Sequence, residues 1–430
     1  LAQLRDYVLA NYYRVYHYCL WFSMHILYLH QYFTTRAGVG GTRSYEFARF
    51  FVQQGHQVTM VTAAERQSPW AGGWWRQREV DGIKVIEVRA GYADYSRATA
   101  IGYGQRIIAF ILFALASLLV VLRVERPNVV FATSTPLTIG IPGMLASWWH
   151  RAPLVFEVRD LWPEAPIQMG ALRHPALILL ARWLERVIYR YSRHIIALSP
   201  GMRQGIIDAG IPPEKISVIP NAADLDLFHP QRTGCNWRER LGQPAFLALY
   251  FGTMGEANDV RQVIEAARVL QDQGRNDIML ALAGQGRQRP LLEELARQYN
   301  LRNVQFLDPL PKAEVADLVA AADVCLTIFK AVPVLATCSP NKLFDTLAAG
   351  RPVIVNTPGW LQRLVVEHQC GRYARAGDPG DLAIQIAYLC DNPDFTRQAG
   401  RNARALAEQQ FDRRRLAAAA LAILQTCAAP

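Results

Sequence analysis

Short apolar runs closed by glycine, proline or a polar cluster recur along the chain, and between them apolar positions repeat at helical spacing. His25-Ile-Leu-Tyr-Leu-His30, opened by Met24, predicts a first strand. Gly38-Val-Gly-Gly41 turns the chain into a helical pattern that stops at Gly55, and Val58-Thr-Met-Val-Thr62 predicts a second strand. Strand, glycine turn, helix and strand make one βαβ unit, which implies parallel strands joined by a right-handed crossover. The rhythm returns at Val129-Val-Phe-Ala132, Leu154-Val-Phe-Glu-Val158, His194-Ile-Ile-Ala-Leu198 and Ile216-Ser-Val-Ile-Pro220, as in an open sheet covered by helices. The stretch from Asn221 to Pro230, with the polar run that follows to Arg240, predicts a linker. A second series starts at Phe246-Leu-Ala-Leu-Tyr-Phe-Gly252 and continues through Ile278 to Gly284, Val304 to Phe306, Val324 to Thr327 and Pro352 to Asn356.

The expected fold class is therefore α/β, with two Rossmann-like domains facing each other across a cleft. Ligands bind such sheets at the carboxyl ends of the strands. Residues 1–23 read as an N-terminal extension, 24–225 as the first domain, 226–410 as the second, and 411–430 as a C-terminal helix able to pack back on the first.

One segment departs from the alternation. Ile107 to Leu122 holds sixteen residues with Ser117 alone polar, bracketed by Arg106 and Arg123. A helix of that length covers about 24 Å against a hydrocarbon thickness of about 30 Å. Two readings stay open: a buried core helix, or a helix dipping into one face of a membrane. The pairs Trp74-Trp75 and Trp148-Trp149 in the same half favour the membrane.

Charge is uneven. Of 46 Lys and Arg and 36 Asp and Glu, residues 1–200 hold 21 and 12, so nearly all of the net charge of +10 falls in the first half. Only five of the basic residues are lysine, so an arginine-rich composition is the alternative to an anionic partner. No helix-turn-helix, zinc or RNP signature accompanies the charge, which argues against nucleic acid. Seven scattered cysteines with no C-x-x-C pair indicate neither a zinc site nor a disulfide framework.

The most informative chemistry lies in Ser339-Pro-Asn-Lys-Leu-Phe-Asp345. Ser339 reads as a helix cap and Pro340 as the first helical residue, which puts Lys342 in the first turn, where the helix dipole opposes a cation. A bound anion would reverse that sign. Asp345, on the same face, could accept hydroxyl hydrogen bonds; the plainer alternative is a surface acid on an amphipathic helix. Gly40-Gly41 lets backbone approach a phosphate or sugar closely, and Arg43 repeats the anomaly of Lys342 as a second phosphate candidate. Because position 43 is arginine, the G-x-G-x-x-G fingerprint of dinucleotide sites is broken.

With Gly40-Gly-Thr-Arg-Ser-Tyr-Glu46, Gly55-His-Gln-Val-Thr59, Glu157-Val-Arg-Asp-Leu-Trp-Pro-Glu164, Pro220-Asn-Ala-Ala-Asp224 and Ser339 to Asp345 in this order, the chain resembles the retaining glycosyltransferases of family 4 from about Met24 to Phe411. Within them it is similar to bacterial enzymes of colanic acid and O-antigen assembly. The resemblance implies a GT-B fold, with an acceptor-side first domain and a second domain that grips a nucleotide sugar. It implies that Asp345 stands in the place of the second acid of the family's Glu-x7-Glu motif, which holds the ribose. The first acid is replaced by Thr337, which points to a donor other than a plain hexose, N-acetylated or deoxy. The usual Arg and Lys after the first strand of the second domain are missing from Gly252-Thr-Met-Gly-Glu-Ala-Asn-Asp259. Lys342, Arg287, the amides around Gly252 and the helix start at Asn341 remain as substrate contacts. Arg159 and Asp160, where many relatives carry His-Asp, become the catalytic candidates: Arg159 for the leaving diphosphate, Asp160 for the acceptor hydroxyl, with a structural Arg-Asp network as the alternative.

The expected activity is transfer from a nucleoside diphosphate sugar, UDP foremost, to a lipid-linked saccharide acceptor at the cytoplasmic face of an anionic membrane. No metal or other cofactor is expected, since Asp224-Leu-Asp226 has the D-x-D spelling but falls in the linker. A non-catalytic nucleotide-sugar-binding subunit and an epimerase of the same fold are the alternatives.

Overall fold

The computed structural model describes residues 23–36, 38, 40–64, 73–89, 103–233 and 236–429. The expected extension is thus almost wholly outside the described residues. The first lobe is an eight-stranded sheet built from β1 His25–Leu29, β2 Gln57–Ala63, β3 Trp75–Val80, β4 Ile83–Val88, β5 Val129–Thr133, β6 Leu154–Val158, β7 His194–Ala197 and β8 Ile216–Val218. Their order is β3-β4-β2-β1-β5-β6-β7-β8, parallel throughout except for β3. The second lobe holds β9 Phe246–Phe251, β10 Ile278–Ala283, β11 Val304–Leu307, β12 Val324–Thr327, β13 Val353–Val355 and β14 Gly371–Tyr373. These run all parallel in the order β11-β10-β9-β12-β13-β14. Both sheets reverse direction beside their first strand, between β1 and β5 and between β9 and β12, and ligand crevices form at such switch points.

The apolar runs became strands because parallel strands are buried on both faces; β1, β2, β5, β6 and β9 are buried along nearly their whole length. The β3–β4 hairpin escaped the sequence reading. Trp-Arg-Gln-Arg-Glu-Val has no apolar face, since β3 is an edge strand held by pairing with β4. Its signal was the Asp81-Gly82 turn, both residues at positive φ, a spelling that marks two-residue hairpins.

The apolar run of the first half forms the helix Tyr103–Val121. The core-helix reading accounts for only one side of it: Phe113, Val120 and Val121 are buried against the sheet while Ile108, Leu112 and Leu115 are half exposed. At the far end of the chain, the helix Arg413–Ala428 crosses back to the first lobe, where Leu416, Ala417, Leu421 and Leu424 join Tyr28, Phe47 and Phe131 in one cluster. Ala223 N–H donates to the Phe411 carbonyl at 2.8 Å, so the two crossings run side by side.

Candidate active site

The helix Asn341–Ala348 faces the crevice of the second sheet. Pro340 caps it and no side chain does, which corrects the assignment of Ser339. Ser339 is drawn to the linker instead: its Oγ accepts from the Asn221 N–H at 3.1 Å and its carbonyl from Asn221 Nδ2 at 2.5 Å. Lys342 remains in the first turn. Its Nζ lies 4.0 Å from the Tyr250 ring centre and 5.9 Å from that of Phe329, buried and without a hydrogen-bond partner. Burial with no counter-charge lowers its pKa from 10.5 to about 7. Above it passes Gly252, at φ +125°, where a Cβ would stand 3.4 Å from Nζ. The neighbouring turn closes on the same loop, since a Cβ at Gly284 would fall 2.0 Å from the Gly252 carbonyl oxygen.

The glycine turn of the first lobe meets this helix directly. A Cβ on Gly41 would lie 2.9 Å from Asn341 Nδ2 and 3.5 Å from a terminal nitrogen of Arg159. Arg159 also donates to His30 Nε2 at 3.1 Å, and His30 Nδ1 lies 2.7 Å from Ser44 Oγ. Burial first, and the Arg159 charge second, hold the His30 pKa well below its usual value. The imidazole is therefore neutral, accepting at Nε2 and donating from Nδ1 to Ser44. Asp160 turns elsewhere, accepting from Thr135 Oγ1 at 2.9 Å, and burial raises its pKa. The side-chain hydrogen bonds of Arg159 and Asp160 thus run to different partners, while the Arg159 charge opposes the rise at Asp160.

Asp345 is buried, 7% exposed, in a pocket whose lining includes Gly40, Gly41, Arg43, Lys312, Asn341 and Arg413. Burial raises its pKa, opposed by Lys312 and Arg413. Asp224 stands nearby; burial pushes its pKa up, but Arg413, Lys312 and Arg36 outweigh that and hold it low. Lys312 Nζ is 3.2 Å from Asp224 Oδ2, and Arg413 lies 3.3 Å from Glu46 and 3.4 Å from Asp224. Lys312, Arg413 and Asp224 were not read as site residues from sequence. Lys312 carries the same signal as Lys342, a lysine opening a helix, here Lys312–Ala321.

Arg43 lines the Asp345 pocket but is anchored in the first lobe, donating to Glu157 Oε1 at 2.9 and 3.0 Å and to the Ile219 and Pro220 carbonyls at 3.0 and 2.6 Å. Four of its five N–H donors are taken by these bonds, which leaves one on Nη1. Arg287 is exposed on the loop before the helix Arg289–Gln298. Thr337 is shut against the first lobe: its Oγ1 donates to the Val334 carbonyl at 2.7 Å, and a Cβ at Gly201 would touch its methyl at 3.0 Å. Among the described residues no three His, Cys, Asp or Glu side chains gather as metal ligands.

The two lobes that bring this glycine turn to a helix start correspond to two family models. Residues 38–222 match the glycosyl transferase 4-like domain and residues 245–392 the glycosyl transferases group 1. The chain belongs to the glycosyltransferases of GT-B fold. The enzyme is 24% identical over 331 residues to WcaI of Escherichia coli (strain K12), named for colanic acid biosynthesis, covering 74% of this chain and 79% of the relative. It is 28% identical over 277 residues to a D-inositol 3-phosphate glycosyltransferase of Thermomonospora curvata, covering 59% of this chain and 62% of that relative. Among solved structures it resembles sucrose-phosphate synthase from Thermosynechococcus elongatus, at a TM-score of 0.71 and 19% identity over 94% of this chain and 98% of that one. It also resembles Anabaena HepE, solved in complex with UDP-glucose, at a TM-score of 0.69 and 20% identity over 94% and 100%.

Proposed function

We propose that this glycosyltransferase moves an N-acetylated or deoxy sugar, with retention of configuration, from a UDP-sugar to a lipid-linked saccharide in surface polysaccharide assembly. The observation that carries the reading is Lys342: a buried ammonium with no partner at the open start of a helix is a site prepared for a diphosphate. Asp345 in the adjoining pocket accepts the ribose hydroxyls, with Lys312 and Arg413, themselves paired to Asp224 and Glu46, holding the pocket's other side. Donor choice follows from Thr337, whose hydroxyl is already spent on Val334, so a sugar hydroxyl finds no carboxylate there. The solved HepE complex with UDP-glucose supports a uridine nucleotide, and the likeness to WcaI supports a polysaccharide acceptor.

The acceptor oxygen attacks the anomeric carbon as the bond to the UDP oxygen breaks, and the departing phosphate takes the acceptor's proton on the same face. Arg159, aimed past Gly41 by the neutral His30, stabilises the charge that develops on that phosphate. Asp160, through the Thr135 hydroxyl, orients the acceptor. Lys342 and Arg159 supply the positive charge, and the reaction needs no metal. The enzyme works peripherally at the inner face of the plasma membrane, where its acceptor resides.

Thermal shift over UDP-, GDP- and dTDP-sugars, followed by transfer to a polyprenyl diphosphate saccharide, tests this reading. UDP should raise the melting temperature, Asp345→Asn should abolish most of the rise, and the product should keep the donor's anomeric configuration. Stabilisation by GDP alone, or an inverted product, would overturn the corresponding part.

A further inference from the structure

Eighteen large apolar side chains stand exposed among the described residues, and thirteen of them lie on three helices of the first lobe. These helices, Tyr103–Val121, Gly140–His150 and Pro175–Tyr191, are the crossovers from β4 to β5, β5 to β6 and β6 to β7. Successive right-handed crossovers moving one way along a sheet fall on one face, and the first and third helices each pack against the second. The exposed residues therefore share one surface. Ile108, Ile111, Leu112, Leu115 and Leu119 run down the first helix, each 47% exposed or more. Trp148 and Trp149, at 67% and 54%, end the second with rings 6.3 Å apart. Leu179 and Trp183, at 70% and 58%, lie one turn apart on the third.

Charge indicates what covers this surface. Residues 103–193 carry ten arginines against five acids. Of the acids, Glu157 is buried against Arg43 and Glu164 is bonded to Arg182. Arg123, Arg151, Arg186, Arg190 and Arg193 are exposed on or beside the three helices. A second copy would set these arginines against their equivalents, whereas anionic headgroups would neutralise them. Apolar side chains backed by arginines and edged by tryptophan match an interface between hydrocarbon and anionic headgroups.

We propose that the three-helix face docks on an anionic lipid bilayer, entering the interface without spanning it. Spanning is prevented because Phe113, Val120 and Val121 of the longest helix are packed on the sheet. The first and third helices begin at the carboxyl ends of the strands, so the docked surface borders the cleft. Phe110 makes that join: its ring meets Tyr32 at 6.5 Å and Trp162 at 5.8 Å, on the loops that carry His30 and Arg159. A lipid-linked acceptor could thus reach the glycine turn while its chain stays in the bilayer. The inference rests on the peripheral placement proposed above and not on the transfer reaction.

Sedimentation with phosphatidylcholine vesicles, alone and mixed with phosphatidylglycerol, tests it. The unaltered protein should bind the mixed vesicles and release with salt. Trp148→Ser/Trp149→Ser/Leu179→Ser/Trp183→Ser should bind them about tenfold more weakly or worse, with an unchanged urea midpoint because all four side chains are already in water. Ile108→Ser/Leu112→Ser/Leu115→Ser examines the first helix separately and should show the same loss. Unaltered protein left in the supernatant with anionic vesicles would overturn the proposal, as would full binding by both variants. So would a concentration-dependent dimer, without lipid binding, that either variant abolishes. A protein that binds vesicles but transfers no sugar would leave the face established and refute only the reaction.

Discussion

Lys342→Met replaces a buried ammonium by an apolar chain of similar length, and the structure sets the size and sign of what should follow. The fall in pKa from 10.5 to about 7 means that keeping Lys342 protonated in the ligand-free fold costs about 5 kcal/mol, at 1.36 kcal/mol for each pH unit. Its folded pKa lies below its unfolded one, so between pH 7 and 10.5 the unfolded chain holds a proton that the folded chain does not. Stability therefore rises with pH across that window. The penalty is whole below pH 7, about 2 kcal/mol at pH 9, and gone above pH 10.5. Urea unfolding should find ligand-free Lys342→Met several kcal/mol more stable than the parent at pH 6, with the gap narrowing by pH 9. Donor binding should reverse the order. The variant should bind UDP about 2 kcal/mol more weakly, as for loss of a charge-assisted hydrogen bond. Calorimetry in two buffers of different ionisation enthalpy should show the parent taking up nearly one proton per UDP at pH 8.5, and Lys342→Met none. A variant less stable than the parent at pH 6, or a gap that ignores pH, would refute the claim that this ammonium is desolvated and unpaired. Unchanged UDP affinity would remove it from the phosphate site.

Two further outcomes follow from the same geometry. Arg43→Met leaves the Glu157 carboxylate buried with Thr133 Oγ1 as its remaining partner, so the first lobe should lose about 3–5 kcal/mol by urea titration; a loss below about 1 kcal/mol would mean that the bridge is not desolvated. Gly41→Val forces side-chain atoms into the Asn341 amide and the Arg159 guanidinium, so transfer should slow by about tenfold or more with the urea midpoint little changed; normal turnover would show that the lobes need not meet there.

The reach of the sequence can be judged residue by residue. Parallel strands buried on both faces read as uninterrupted apolar runs, so β1, β2, β5, β6 and β9 were visible within a residue or two. The strand β3 was invisible because an edge strand needs only its partner's backbone, and its polar residues carry no periodic signature. The apolar helix was visible as a segment, while its half-buried state and its two neighbours on the same face depended on which crossovers fall side by side.

The cations draw the line most clearly. Lys342, Arg43 and Lys312 all lie in the first turn of a helix, and the sequence alone determines that each needs a negative partner there. It cannot say where the partner comes from. Arg43 found Glu157, 114 residues away in sequence, and became part of the scaffold. Lys312 found Asp224 in the linker. Lys342 found no acid and was left facing Gly252 across an apolar floor of Tyr250 and Phe329. Local sequence fixes the helix dipole and the charge set against it, because both are properties of one turn. Whether that charge is satisfied internally or kept for a ligand is decided by which distant carboxylates the fold brings within reach, and only the tertiary structure supplies that.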